Sequence, residues 1–78
     1  MREVAYNGFL IRCGVHKVRP GHPQSGKWIA GEYSIGSQAG GAYTEKQYVH
    51  NSVFCGTEEE AIRITIALAK QTIDREET

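Results

Sequence analysis

The chain carries no excess of charge of either sign. Nine lysines and arginines balance nine aspartates and glutamates, for a formal net charge of zero. Dedicated nucleic-acid binders usually show a strong basic excess, so the balance weighs against that class while leaving room for a local patch. It also leaves little long-range repulsion between copies, which permits self-association. Cysteine is scarce. Cys13 and Cys55 fit buried thiols in a reducing compartment better than a disulfide-rich secreted scaffold. Long apolar runs are missing too: Gly8 to Ile11 is far too short for the core of a signal peptide. No stretch approaches the ~20 apolar residues of a membrane span. A soluble, cytoplasmic protein with no membrane partner is expected. Length is equally limited. The chain of 78 residues reads as one domain, 1–78, burying only about 60–65% of the surface its unfolded form exposes. That leaves room for one core and one exposed functional surface, so a multi-part enzyme site in a closed cleft is not expected.

What is present begins with a helix. Residues 57–75 open with Thr57 and Glu60 in the spacing of a capping box, where each side chain satisfies a backbone N–H at the helix start. Ile62, Ile66, Ala69 and Ile73 recur at helical spacing, widened by Ala61, Ile64 and Leu68. Glu58, Glu59 and Glu60 have a local explanation, because negative charge at a helix N-terminus is favourable. Glu59 with Arg63, and Lys70 with Asp74, are i,i+4 pairs on an ordinary solvated face. Residues after Ile73 are charged and expected to fray.

Upstream the period is two. Residues 4–18 alternate as one strand, with Phe9, Ile11, Cys13 and Val15 on one side and Tyr6, Leu10, Arg12 and His16 on the other. Residues 19–26 form a turn, holding two prolines and two glycines without an apolar side chain. Residues 27–35 form a second strand, with Ile29, Tyr33 and Ile35 on one face. Strict alternation sends Trp28 to the other face, whereas a bulge at Gly31 turns it inward. The glycine-rich stretch 36–46 reads as a long, mobile hairpin loop. Residues 47–55 form the third strand, with Val49, Val53 and Cys55 on one face and Tyr48, His50, Ser52 and Phe54 on the other. The expected fold class is α+β: a three-stranded antiparallel meander with one C-terminal helix packed on one face, in the order β-β-β-α. The connections are too short for parallel crossovers.

One helix covers only one face of such a sheet. Leu10, Arg12, Tyr48, His50 and Phe54 are the candidate interaction face on the other side, and an uncovered face carrying Leu, Tyr and Phe points to a partner. A sheet with one wet face is the plainer alternative.

Motifs for chemistry are sparse. Gly21 to Lys27 matches G-x-x-x-x-G-K, but Trp28 stands where a magnesium-binding Ser or Thr belongs. A strand follows instead of a helix, and Pro23 removes one N–H of the phosphate cradle. Cys13 and His16 point to opposite faces of a strand, and no C-x-x-C or H-x-x-x-H pair exists, so neither a metal nor another cofactor is expected. His16, His22, His50 and Glu32 are possible bases, yet no local spacing fixes a pair and no nucleophile elbow is present. No catalytic residue is assigned.

The pieces together resemble a family. Tyr6, Gly8, Phe9 and Ile11 on the first strand, Gly26 and Trp28 on the second, and the T-x-E-E-A helix start (Thr57, Glu59, Glu60, Ala61) closing on Ile73 and Asp74 resemble small bacterial proteins of unknown function with β-β-β-α order. The 36–46 loop and Cys55, in place of an aromatic, depart from that pattern. The resemblance supports the fold and carries no activity. The order is also similar to the C-terminal part of double-stranded-RNA-binding domains, whose basic K-K-x-A-K helix start is replaced here by acidic residues.

The functional expectation is a small interaction module that forms a homodimer or docks a protein partner through its open sheet face or an edge strand. Single-stranded nucleic-acid binding by Arg12, Tyr48, His50 and Phe54 is the alternative. A small phage- or mobile-element-type inhibitor fits the first reading.

Overall fold

The computed structural model describes residues 2–39 and 41–76, and at 39 and 50–52 the backbone alone. Five strands precede one helix: β1 (Arg2–Tyr6), β2 (Phe9–Cys13), β3 (His16–Lys17), β4 (Trp28–Ala39), β5 (Ala42–Cys55) and α1 (Glu58–Glu76). All strand pairings are antiparallel. The α+β class and the single C-terminal helix are as the sequence reads, but five strands replace the expected three. β4 is central: β2 and β3 pair with it end to end along one side, β5 along the other, and β1 lies outside β2.

The strand expected over 4–18 is broken in two places. Asn7 and Gly8 have φ of 50° and 83°, the positive pair that a two-residue hairpin turn of matching twist requires. Tyr6 therefore pairs back onto Phe9 and Arg2 onto Cys13. After Gly14 the path resumes as β3, and the Gly14 N–H still donates to the Glu32 carbonyl at 2.9 Å. The expected turn over 19–26 is present, ending with the Val18 N–H on the Lys27 carbonyl at 2.9 Å.

The loop expected over 36–46 is instead paired strand. Gly36 faces Glu45, Ser37 faces Thr44, Gln38 faces Tyr43 and Ala39 faces Ala42; Gly40 lies outside the described residues. Local composition favours a loop there, but the register set by Tyr33 and Ile35 carries both strands onward, and pairing context outweighs weak strand propensity. The molecule is 47 Å along its longest axis, close to the ~46 Å that a 14-residue strand such as β5 spans at ~3.3 Å per residue.

The Thr57 half of the expected capping box is present, with the Glu60 N–H donating to Thr57 Oγ1 at 3.1 Å. The buried stripe is shifted: Ala61, Thr65, Ala69, Thr72 and Ile73 are buried, while Ile62, Ile64, Ile66 and Leu68 flank it half-buried. The end does not fray at Ile73. Tyr6 donates to Asp74 at 3.0 Å and Tyr48 to Glu76 at 2.9 Å, both from the sheet. Thr72 gives its hydroxyl proton to the Leu68 carbonyl, so the buried Tyr33 hydroxyl donates to Thr72 Oγ1. Three sheet tyrosines thus hold the last turns of the helix.

The core has two parts under α1. Ile11, Cys13, Tyr33, Ile35, Ala69 and Ile73 make one, and Ala30, Cys55 and Ala61 the other, with Val15 packed against both. Between them sits Gly31. Trp28 packs against the second cluster and Tyr33 belongs to the first, so both face α1 although they stand five positions apart, an odd offset. The alternation slips once at Gly31, as a bulge requires, and Trp28 turns inward. Ala30 pairs with Val53 and Glu32 with Val49, so β5 spends four residues where β4 spends two. Gly31 has φ of 104°, a region that favours glycine. Its N–H donates to buried Thr65 Oγ1 at 3.1 Å, and the Thr65 hydroxyl donates to the Ala61 carbonyl at 2.7 Å.

Candidate functional site

The slip at Gly31 redistributes the expected interaction face. Leu10 and Arg12 lie on the face away from α1, since their neighbours Ile11 and Cys13 are in the core beneath it. Phe54 lies there too, opposite Ile29. Tyr48 does not. Its ring stacks on Tyr33 at 5.3 Å between centroids and its hydroxyl reaches Glu76, on the helix side. The cause is the irregular stretch between Val49 and Val53, which flips the alternation of β5 together with that of β4. Val49, expected inside, is accordingly 76% exposed. The His50 side chain lies outside the described residues, as does that of Ser52.

The open face is mostly polar. Arg12 bridges two carboxylates, Nε to Glu3 Oε2 and Nη1 to Glu45 Oε2, each at 3.3 Å. Glu3 and then Glu45 push the Arg12 guanidinium up from its usual value. His16 Nε2 lies 3.2 Å from Glu32 Oε2. The Tyr43 hydroxyl donates to Glu45 at 3.2 Å, and its ring lies over Gly36. At the far end the 19–27 turn folds back, placing the His22 ring 6.0 Å from that of Phe54. Arg12, His16, Ser34, Glu45 and Gln47 line a depression of about 240 Å³, below the ~300–1,000 Å³ of small-molecule sites.

Hydrophobic exposure follows a strand, not a face. The exposed large apolar side chains among the described residues are Tyr43, Val49, Val53 and Phe54, at 48, 76, 40 and 39%. All four belong to β5. Leu10 and Ile29, on the open face but on inner strands, are half-buried. β5 pairs only with β4 among the described residues, so its outer side presents a row of unpaired backbone donors and acceptors. The opposite edge, β1, is five residues long and carries Arg2 and Glu3, the shortness and charge that guard an edge against pairing. β5 is far longer, and its charged side chains are confined to Glu45 and Lys46 among the described ones.

Comparison with protein-family models, curated proteins and solved structures returned no match for this chain. The remaining chemistry is quiet. Among the described residues no group of three or more His, Cys, Asp or Glu side chains is placed to hold a metal ion. No helix among them is long and apolar enough to cross a membrane. The buried thiols of Cys13 and Cys55 are pushed up, chiefly by burial, which keeps them in the unreactive thiol form. A second concavity, about 760 Å³, runs beside α1 and is lined by Arg2, Ile62, Arg63, Ile66 and Lys70 among others, with no histidine or cysteine among the described residues that line it.

Sequence reasoning missed Tyr43, Val49 and Val53 as surface residues. The signal available was Gly31, whose bulge reading already turned Trp28; carried across the pair to β5, the same slip exposes Val49.

Tyr48 yields a pH test. Burial first, and then its bond to Glu76, raise the Tyr48 hydroxyl above its usual value of 10.0. The folded state therefore holds this proton more tightly than the unfolded chain. Its contribution is complete below about pH 10 and drains as pH rises towards the folded value. Urea melts between about pH 8 and about pH 11 should show the stability gap between wild type and Tyr48→Phe narrowing as pH rises. A constant gap would remove the Tyr48–Glu76 bond from the account.

Proposed function

We propose that this protein is an interaction module whose working surface is the outer edge of β5, which takes an extended polypeptide segment as an additional antiparallel strand. Strand addition uses main-chain hydrogen bonds for affinity and alternate side chains for specificity. The observation that carries the reading is the concentration of exposed Tyr43, Val49, Val53 and Phe54 on a long strand whose outer edge is unpaired among the described residues. Of the two sites expected from the sequence, the open sheet face and an edge strand, the edge finds the greater support. Single-stranded nucleic-acid binding by the open face finds less support, because Arg12 is held between Glu3 and Glu45 and Tyr48 lies beneath the helix.

The test is selection of displayed random peptides on the immobilised protein. Peptides with alternating apolar residues should be recovered, and Val49→Lys should weaken them at least about tenfold, as loss of a central contact does. Leu10→Ala should leave them unchanged. Recovery of no peptide, or binding that depends on Leu10 and not Val49, would sink the β5 assignment.

A further inference from the structure

The side chains along β5 also select an occupant for that edge. We propose that it is β5 of a second copy of this chain, paired antiparallel about a two-fold axis at Gln47. This inference rests on the reading of β5 as the docking edge and names what docks there.

The axis position follows from geometry and charge. A two-fold axis normal to the sheet makes the two edge strands antiparallel and keeps both helices on one side. Residues directly opposite each other then come from the same face. The regular run of β5 ends at Val49, where the register with β4 breaks. An axis at Tyr48 would push half of the new ladder into that irregular stretch. An axis at Lys46 sets Lys46 against itself, and an axis at Glu45 sets Glu45 against itself, and like charges directly opposite are destabilising. An axis at Gln47 avoids all three. It places Gln47 against Gln47, Glu45 against Val49, and Lys46 against Tyr48.

The last pairing supplies complementary charge. The Tyr48 hydroxyl is 2.9 Å from Glu76 Oε1, so a Lys46 ammonium reaching along the partner's Tyr48 arrives at the partner's Glu76 carboxylate. Within one copy, neither Lys46 nor Glu76 makes an ion pair among the described residues. The two-fold axis makes the new pair twice. On the other face, Val49 meets the aliphatic stem of the partner's Glu45. The zero net charge opposes none of this.

Sedimentation of the intact protein from low to high micromolar concentration tests the proposal, with circular dichroism verifying that each variant is folded. Wild type should sediment as a dimer at the upper end. Lys46→Glu and Glu76→Lys should each weaken dimerisation roughly tenfold by setting like charges together twice. The double variant Lys46→Glu/Glu76→Lys should return to within about threefold of wild type, since the charges again match. A folded monomer throughout overturns the proposal, as does a dimer that Lys46→Glu leaves unchanged. A monomer that still selects peptides through Val49 removes only the second copy; a monomer that selects none removes the docking edge as well.

Discussion

Ile11→Ala should remove a large share of the domain's stability. Ile11 is 0% exposed and packs in the cluster that joins β2 and β4 to Ala69 and Ile73 of the helix. Deleting a fully buried aliphatic side chain removes its transfer free energy and leaves a cavity, together about 2–5 kcal/mol. A domain of this size holds roughly 4–12 kcal/mol in all, so a loss at the top of the first range exhausts a reserve at the bottom of the second. Leu10→Ala is the matched control. Leu10 is adjacent in sequence, half-buried and on the face without a helix, and its truncation should cost about 1 kcal/mol or less. Chemical denaturation of the two variants reads the difference directly. Equal losses would mean that the β1–β2 hairpin does not present Ile11 to the helix.

Thr65→Val is the second large effect, and it probes the slip. The substitution nearly preserves shape, so the packing around it changes little. It leaves the Gly31 N–H without its acceptor in a buried place, and an orphaned buried donor costs about 1–3 kcal/mol. With 1 kcal/mol moving the midpoint of a domain this size by about 4–8 °C, thermal unfolding should shift down by roughly 4–24 °C. Thr65→Ser keeps the hydroxyl and should recover most of the loss. Gly31→Ala tests the other partner, because a Cβ at φ of 104° is strained by about 1–3 kcal/mol. If Thr65→Val and Thr65→Ser were equally stable, the hydroxyl would have no part in holding the bulge.

The helix was legible because local rules and global packing agree there. Thr57 caps it, the glutamates suit its N-terminus, and the apolar period runs throughout. The centre of its buried stripe was not legible. Thr65 and Thr72 look like polar interruptions of an isoleucine face, yet they are buried because the sheet supplies partners in the Gly31 N–H and the Tyr33 hydroxyl. Hydropathy cannot mark a threonine chosen for a hydrogen bond to a residue more than thirty positions away.

The strands divide in the same manner. Asn7-Gly8 is a strong local hairpin signal, and it was available in the chain even though the alternation of 4–18 reads across it. The pairing over 36–46 carried no comparable signal, since glycine, serine and glutamine say loop and only the neighbouring strand says otherwise. For the candidate site, Leu10, Arg12 and Phe54 fell on the face that period two assigns them. Tyr48 and Val49 exchanged sides because the irregularity across 50–52 shifts the alternation, and one glycine on the opposite strand is its sole mark in the sequence.

The central claim is that this domain meets a second copy of itself along β5 and not across the open face. Residue-resolved amide hydrogen exchange at low and high protein concentration tests it most directly. The account predicts that amides within Glu45–Val49 gain protection as concentration rises, that those of β1 do not, and that Lys46→Glu abolishes the gain. Protection that appears instead around Leu10 and Arg12, or that is the same at both concentrations, would contradict it.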